Sequence, residues 1–331
     1  MAHNLSVVDG KVEMFYTGET PWHKLGTKLD NPATAREAIE AAHLDWVVKP
    51  EEVYYMVDGI PEPIPDSRVI VRQDTRVPLG VTGIRYTPIQ NVDAFGFFDN
   101  VVGQSQAIYH TAGALGKGER IWIMAKLPEP IRIKGTDDVT EKFLLLTNSH
   151  NGKDSLRAFF TPVRVVCQNT LYAALSEGGK GGVSIRHVGD IQSKVKEAQE
   201  ILGLAVKYYD SLSDVYNKFA STPVTSAQVQ AYLNLLVPNP EDGKNSTRSE
   251  NTRKEIEALF ESGKGNNAPG VRGTVWALLN GVSEYVTHNR STRGTDETRD
   301  NNKLASLWFG SGRDLNQKAF EGALELAGIG N

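Results

Sequence analysis

"KFLLLTNSHNGKDSLRAFFTPV", residues 142–163, decides how the first half of this chain folds. Two apolar runs, 142–149 and 156–163, stand on either side of Asn151, Gly152, Lys153 and Asp154. Each run has the length of a strand, and the Asn/Gly/Asp cluster between them is turn chemistry. Strand, tight turn, strand is the reading, and so short a connection favours an antiparallel pair. The pattern recurs upstream in "VYYMV" (53–57), "RVIVR" (68–72), "LGVTGI" (79–84), "QAIYHTAGAL" (106–115) and "RIWIMAKL" (120–127). "GKGER" separates the last two. "DGIPEPIPDS" lies between the first two and reads as a long hairpin connection.

Two helices interrupt the strands. "PATAREAIEAAHL" (32–44) has alanine-rich helix propensity. "NVDAFGFFDNVV" (91–102) repeats Val92, Phe95, Phe98 and Val102 at helical spacing, with Asn91 as its expected N-cap. Beyond residue 190 the period changes. Val195, Ala198, Leu202, Ala205, Tyr209, Leu212, Tyr216 and Phe219 form a near-heptad stripe, which predicts one long helix over 190–220. Shorter helices are expected over 226–236, 252–260, 270–288 and 314–327. "NPEDGKNSTRSEN" (239–251) reads as a polar loop and "STRGTDETRDNN" (291–302) as a linker. The fold class is therefore α+β: an N-terminal antiparallel sheet with embedded helices, then a mainly helical C-terminal half. The expected domains are 1–188 and 189–331.

Composition bounds the function. A chain of 331 residues with 40% hydrophobic content can bury a large core. Net charge is −4, so any nucleic-acid contact must be a local basic patch rather than a property of the whole surface. A single cysteine, Cys167, excludes an internal disulfide framework and suits a reducing cytoplasm. No secretory signal opens the sequence, and no apolar run approaches the roughly 20 residues a membrane helix needs.

Motifs for catalysis are weak. Seven histidines form no HExxH, H-x-H or Cys/His cluster, so neither a metal nor another cofactor is expected. "GALGKGER" (113–120) carries Lys117 and Arg120, but Gly118 follows the lysine and the stretch lies between two strands. It is a basic hairpin tip, not a phosphate loop of the nucleotide-hydrolysing kind. Cys167, among Val165, Val166, Gln168 and Asn169, reads as a small buried apolar side chain. Aromatic residues beside cations carry more information. "ETPWHKLG" (19–26) holds Trp22, His23 and Lys24, and "GIRYTPIQN" (83–91) sets Arg85 beside Tyr86. Single-stranded nucleic acid needs that pairing: stacking platforms with phosphate neutralisation. "TPVRVVCQNTLYAAL" (161–175) reads as a strand end running into a helix. There Arg164 and Gln168 share a face at i, i+4, and Asn169 lies beside them.

The segments "GIRYTPIQNVDAFGFFDNVV", "ERIWIMAKLP", "LLLTNSHNGKDSLRAFFTPVRVVCQNTL" and "GTVWALLNGVSEYVTHNR" together resemble the phage/plasmid-like proteins classed as domain of unknown function 932. The resemblance implies a setting in phages, prophages or plasmids. The strand-rich first half with its embedded helix is also broadly similar to the β–β–β–α core of phage annealing proteins. The leading expectation is ATP-independent binding and annealing of single-stranded DNA in recombination, by a homo-oligomeric ring or filament. Its candidate phosphate contacts are Arg85, Lys117, Arg120, Lys153, Arg157 and Arg164, with Tyr86 as a stacking platform and Gln168 and Asn169 beside Arg164. The alternative is a protein-binding host-interaction or anti-defence factor without catalysis. A third reading is a metal-dependent hydrolase built on His23, His110 and His150.

Overall fold

The computed structural model describes residues 5–18, 25–31, 33–96, 108–160, 163–164, 169–170, 182–189, 193, 205–240, 246–291, 306–307 and 310–329. The chain divides into two compact units that interleave in sequence. The first takes Met1–Pro128, Leu144–Phe159 and Gly182–Ala205, and the second takes the rest. Strands dominate the N-terminal half and helices the C-terminal half, an α+β fold.

The first unit is built on a seven-stranded sheet. Its strands are β3 (Met14–Thr17), β4 (Thr27–Leu29), β8 (Ile108–Leu115), β9 (Arg120–Lys126), β12 (Phe143–Ser149), β13 (Leu156–Phe160) and β16 (Gly182–Ile185). Their order is β16-β13-β12-β9-β8-β3-β4. Every strand pair with a described register is antiparallel except β3–β4. Ile121, Trp122, Ile123, Leu144, Leu145 and Leu146 are fully or almost fully buried, so these runs supply the core they advertise. Gly113 sits opposite Trp122 because the indole fills its place: a methyl there would lie 2.4 Å from the ring. A ribbon of β1 (Val7–Val8) and β2 (Lys11–Val12) precedes β3. Helix α1 (Ala35–Ala41) starts in a reciprocal cap between Thr34 and Glu37.

A second sheet of this unit, β5 (Val48–Val57), β6 (Ile60–Arg72) and β7 (Pro78–Gly83), corrects the sequence reading of the proline stretch. The hairpin connection is only Asp58–Gly59, both with positive φ, and β6 runs straight through the prolines. The reason is positional. Residues 60–63 pair with β5 alone, while β7 pairs with 67–71, so Pro61 and Pro63 occupy a stretch whose second edge has no partner strand. Asp-Gly with two positive φ values is the turn that matches strand twist. The outer half of this arm exposes Tyr54, Tyr55, Met56, Val57 and Ile60.

Asn91 also departs from expectation. A helical turn covers 91–96, but the Ala94 amide donates to the Gln90 carbonyl, and the Asn91 side chain is spent elsewhere. Residues 97–107 lie outside the described residues.

The second unit holds the strands β10 (Ile131–Arg132), β11 (Val139–Glu141), β14 (Val163–Arg164) and β15 (Asn169–Thr170), in that order. Its described helices are α2 (Ala205–Ser221), α3 (Ser226–Leu236), α4 (Ser246–Ser262), α5 (Val275–Glu284), continued by a π-helical turn over Tyr285–Asn289, and α6 (Ser311–Leu326). The stripe of the expected 190–220 helix is visible from Leu212 through Tyr216 to Phe219. All three are buried inside the unit, with Tyr216 4.7 Å from Trp276 and Phe219 5.8 Å from Phe320 between ring centroids. Trp276 closes the cluster by donating to Asp138 at 2.8 Å. The apolar face over α5 is likewise buried. Over 212–219 and α5 these faces pack within the chain; residues 194–204 of the stripe lie outside the described residues. Helix α4 begins at Ser246, inside the stretch expected to be loop. Its first turns present Thr247, Arg248 and Glu250 to solvent, so the segment is helical without being apolar.

Candidate nucleic-acid interface

Three connections of the first unit meet at one edge. The central one is the turn 150–154 after β12. The Glu119 carbonyl, in the β8–β9 turn, accepts from the His150 amide at 2.8 Å, and Arg120 pairs with Asp154 at 2.9 Å. On the other side β7 is pressed against the same turn. A methyl at Gly80 would lie 2.6 Å from the Asn151 carbonyl oxygen, and one at Gly152 would lie 2.6 Å from Thr82. Only glycine tolerates both approaches, and Gly152 also has positive φ. The bend after β7 is tied in by the Tyr86 hydroxyl, which donates to the Ser149 carbonyl at 2.8 Å.

This edge carries four of the predicted cations. Arg85, Lys117 and Lys153 are exposed and form no ion pair among the described residues. Arg120 is half-buried and already neutralised by Asp154. Tyr86 is a fixture of the edge: one ring face is stacked on His187 at 4.9 Å, and burial raises its pKa. Arg157 lies on β13 opposite Ser184, half-buried. Arg164 and Asn169 belong to the second unit. They are cross-strand partners in the antiparallel pair β14–β15, which corrects the expectation of a helix through Arg164 and Asn169; the rest of 161–175 apart from Val163 and Thr170 lies outside the described residues. Val163, Val165 and Val166 are β-branched and favour strand, which outweighs the polar i, i+4 spacing that suggested a helix. Gln168 and Cys167, together with Trp22, His23 and Lys24, lie outside the described residues.

Beneath the edge is a polar network that the motif reading missed. Arg72, 1% exposed, donates to Glu13 and Asp74, each at 2.8 Å, and to the Lys117 carbonyl at 3.2 Å. Its guanidinium lies 4.2 Å from the Trp46 ring centroid. Gly118 leaves room for this stack, since a methyl there would sit 3.0 Å from Trp46 and 3.1 Å from Arg72. Trp46 meets the His150 ring edge-on at 5.4 Å. Asn91 completes the set: its amide donates to the Leu44 carbonyl at 2.9 Å, so its oxygen accepts from His150 Nε2 at 2.8 Å. His150 is fully buried, and its pKa is pushed down to about 3, by burial first and then by His187 and Arg72. Burial lowers His187 as well, against the bond it makes to the Thr87 carbonyl. Asp74 is held below the usual carboxylate range. Burial works against its ionisation, and the bonds from Arg72 outweigh it. The missed signal was Arg72 itself, a charge closing the apolar run "RVIVR".

Among the described residues no group of three His, Cys, Asp or Glu side chains is placed to hold a metal. His110 bonds Thr17 at 3.2 Å, while His150 bonds Asn91. No described helix is long and apolar enough to cross a membrane.

A family model described as a domain of unknown function (DUF932) matches residues 78–308. No curated protein and no solved structure matches the chain.

Proposed function

The chain belongs to the DUF932 family, and from that premise we propose that it binds single-stranded DNA along the three-loop edge of its first unit and anneals complementary strands without ATP. One observation carries the reading: Arg85, Lys117 and Lys153 stand on connections that are locked together, and no carboxylate pairs with them among the described residues. Cations held on a rigid edge can follow a phosphate backbone while leaving bases outward for pairing. The buried network supports the edge. Arg72 grips the Lys117 carbonyl, and Tyr86 fixes the bend that carries Arg85. With a net charge of −4 the contact is local and strongly salt-dependent. The β5–β6–β7 sheet followed by the helical turn at 91–96 has the β–β–β–α order of phage annealing proteins. A setting in phage or plasmid recombination belongs to the same reading.

The test is strand annealing followed by fluorescence quenching of two labelled complementary oligonucleotides. The protein should accelerate pairing without nucleotide or metal, and the Arg85→Ala/Lys153→Ala variant should lose most of the acceleration. Annealing at the uncatalysed rate, or equal acceleration by the variant, would reject the reading.

The β5–β6 arm favours a second reading, a protein-binding factor without catalysis. Five exposed apolar side chains on one hairpin are more than solvation needs. Light scattering separates the cases. A mass above the 36.3 kDa monomer assigns the arm to self-assembly, as a ring- or filament-forming annealing protein requires. A strict monomer leaves the arm to a foreign partner such as a host protein.

A further inference from the structure

A second concentration of positive charge lies within the helical unit, apart from the proposed DNA edge. A cavity of about 470 Å³ opens where α3, α4, the π-helical turn and the start of α6 come together. Arg248, Arg290 and Lys318 line it, against one acid, Asp314. That acid is engaged outside this set, since Arg313 donates to it at 2.9 Å.

Arg290 is the informative residue. It ends the π-helical turn and reaches the first residue of α6, donating from Nη2 to Ser311 Oγ at 3.1 Å. Its other terminal nitrogen, Nη1, is shut off from water and has no hydrogen-bond acceptor among the described residues. The N-cap of α6 is Gly310, which has no side chain to satisfy the helix start. A guanidinium has thus been laid on the positive end of a helix dipole whose first turn holds one acid, Asp314, and two more cations line the same cavity. That placement is unfavourable until an anion occupies it. The Ser311 hydroxyl, which accepts from Arg290, keeps its own hydrogen to donate, while Ser249 is spent on the Pro238 carbonyl and Thr252 on the Tyr285 hydroxyl. Leu236, Leu315 and Tyr285 supply an apolar wall, so the space suits an organic body as well as a charged head.

We propose that this cavity binds a phosphomonoester, its phosphate held by Arg290, Arg248 and Lys318 at the start of α6. A carboxylate would neutralise one of the three cations and fill few donors. A phosphate dianion offers three terminal oxygens and nearly twice the charge. The phosphate can come from a free nucleotide or from the 5′ end of a strand, and the two are separable by experiment.

Isothermal titration of the full chain at low salt uses adenosine 5′-monophosphate, adenosine, and a tetranucleotide with and without a 5′-phosphate. A saturable site for adenosine 5′-monophosphate that adenosine lacks, or for the tetranucleotide one site more with its 5′-phosphate than without it, is expected. Binding by adenosine 5′-monophosphate places the source in the nucleotide pool; binding by the phosphorylated tetranucleotide alone places it at a strand end. Arg290→Gln should weaken binding about tenfold or more. Lys318→Gln, an exposed change with no role in folding, should do the same in a protein of unchanged melting temperature. The Arg85→Ala/Lys153→Ala variant should keep the phosphate-dependent site while its phosphate-independent binding of the tetranucleotide weakens, which keeps this site distinct from the DNA edge. Absence of saturable binding by every phosphorylated probe, or equal affinity in the parent and Lys318→Gln, would overturn the proposal.

Discussion

Arg72 and Arg290 each bury guanidinium nitrogens, one in each unit, and their surroundings are opposites. Arg72 meets two carboxylates, a backbone carbonyl and an indole face, and is satisfied within the fold. Among the described residues Arg290 meets one hydroxyl and the start of a helix, and one of its nitrogens has no acceptor. The pair teaches how to tell a structural arginine from one kept for a ligand. Burial alone does not separate them; the list of acceptors does.

The sharpest way to break that comparison is to remove a partner from Arg72. Glu13→Gln removes one of two carboxylates from a guanidinium that is almost fully buried, and should destabilise the first unit by about 3–5 kcal/mol in urea unfolding. Loss below about 1 kcal/mol would mean that the network is not what holds Trp46, Arg72 and the β8–β9 turn together.

A second effect comes from His150, whose neighbours are Asn91, Trp46, His187 and Arg72, with Glu13 and Asp74 behind the arginine. Its folded pKa is depressed to about 3 from the usual 6.5. The unfolded chain therefore binds the proton first. The stability tied to neutral His150 is complete above pH 6.5 and falls as pH drops from 6.5 towards 3. His150→Gln retains a partner for Asn91 and should flatten that part of the stability profile by about 2–4 kcal/mol relative to the parent. Parallel profiles in parent and variant would show that the imidazole titrates alike in both states.

Arg290→Gln should behave in the opposite way to the Glu13 variant. Stability without ligand should change by less than about 0.5 kcal/mol, or rise, because a cation leaves the positive end of α6. A loss as large as that of Glu13→Gln would make Arg290 structural and erase the contrast.

How far the sequence discloses this molecule depends on how local the signal is. Strands such as 120–126 and 143–149 carry their own turns and near-continuous buried runs, and helix 226–236 carries its own cap in Thr225 and Gln228. These are legible residue by residue. The Asp58–Gly59 turn was masked by three prolines, because their tolerance depends on whether β6 has a second neighbour, which is a property of the sheet. Asn91 looked like a cap because caps are local, yet His150 claims it from 59 residues away. Arg85, Lys117 and Lys153 were visible as cations in turns, but their shared edge appears only through the packing of Gly80 and Gly152. Arg290 gives no local signal, since nothing near it in sequence reports the start of α6.

The most direct test of the account is fluorescence anisotropy of a labelled single-stranded oligonucleotide over a series of salt concentrations, with the parent and the Arg85→Ala/Lys153→Ala variant side by side. Three phosphate contacts predict a slope of log affinity against log salt near −2, and the folded variant should bind more weakly with a slope shallower by about 1.4. An oligonucleotide that fails to bind at low salt, or a variant with the parent's affinity and slope, would contradict the claim that this edge grips DNA.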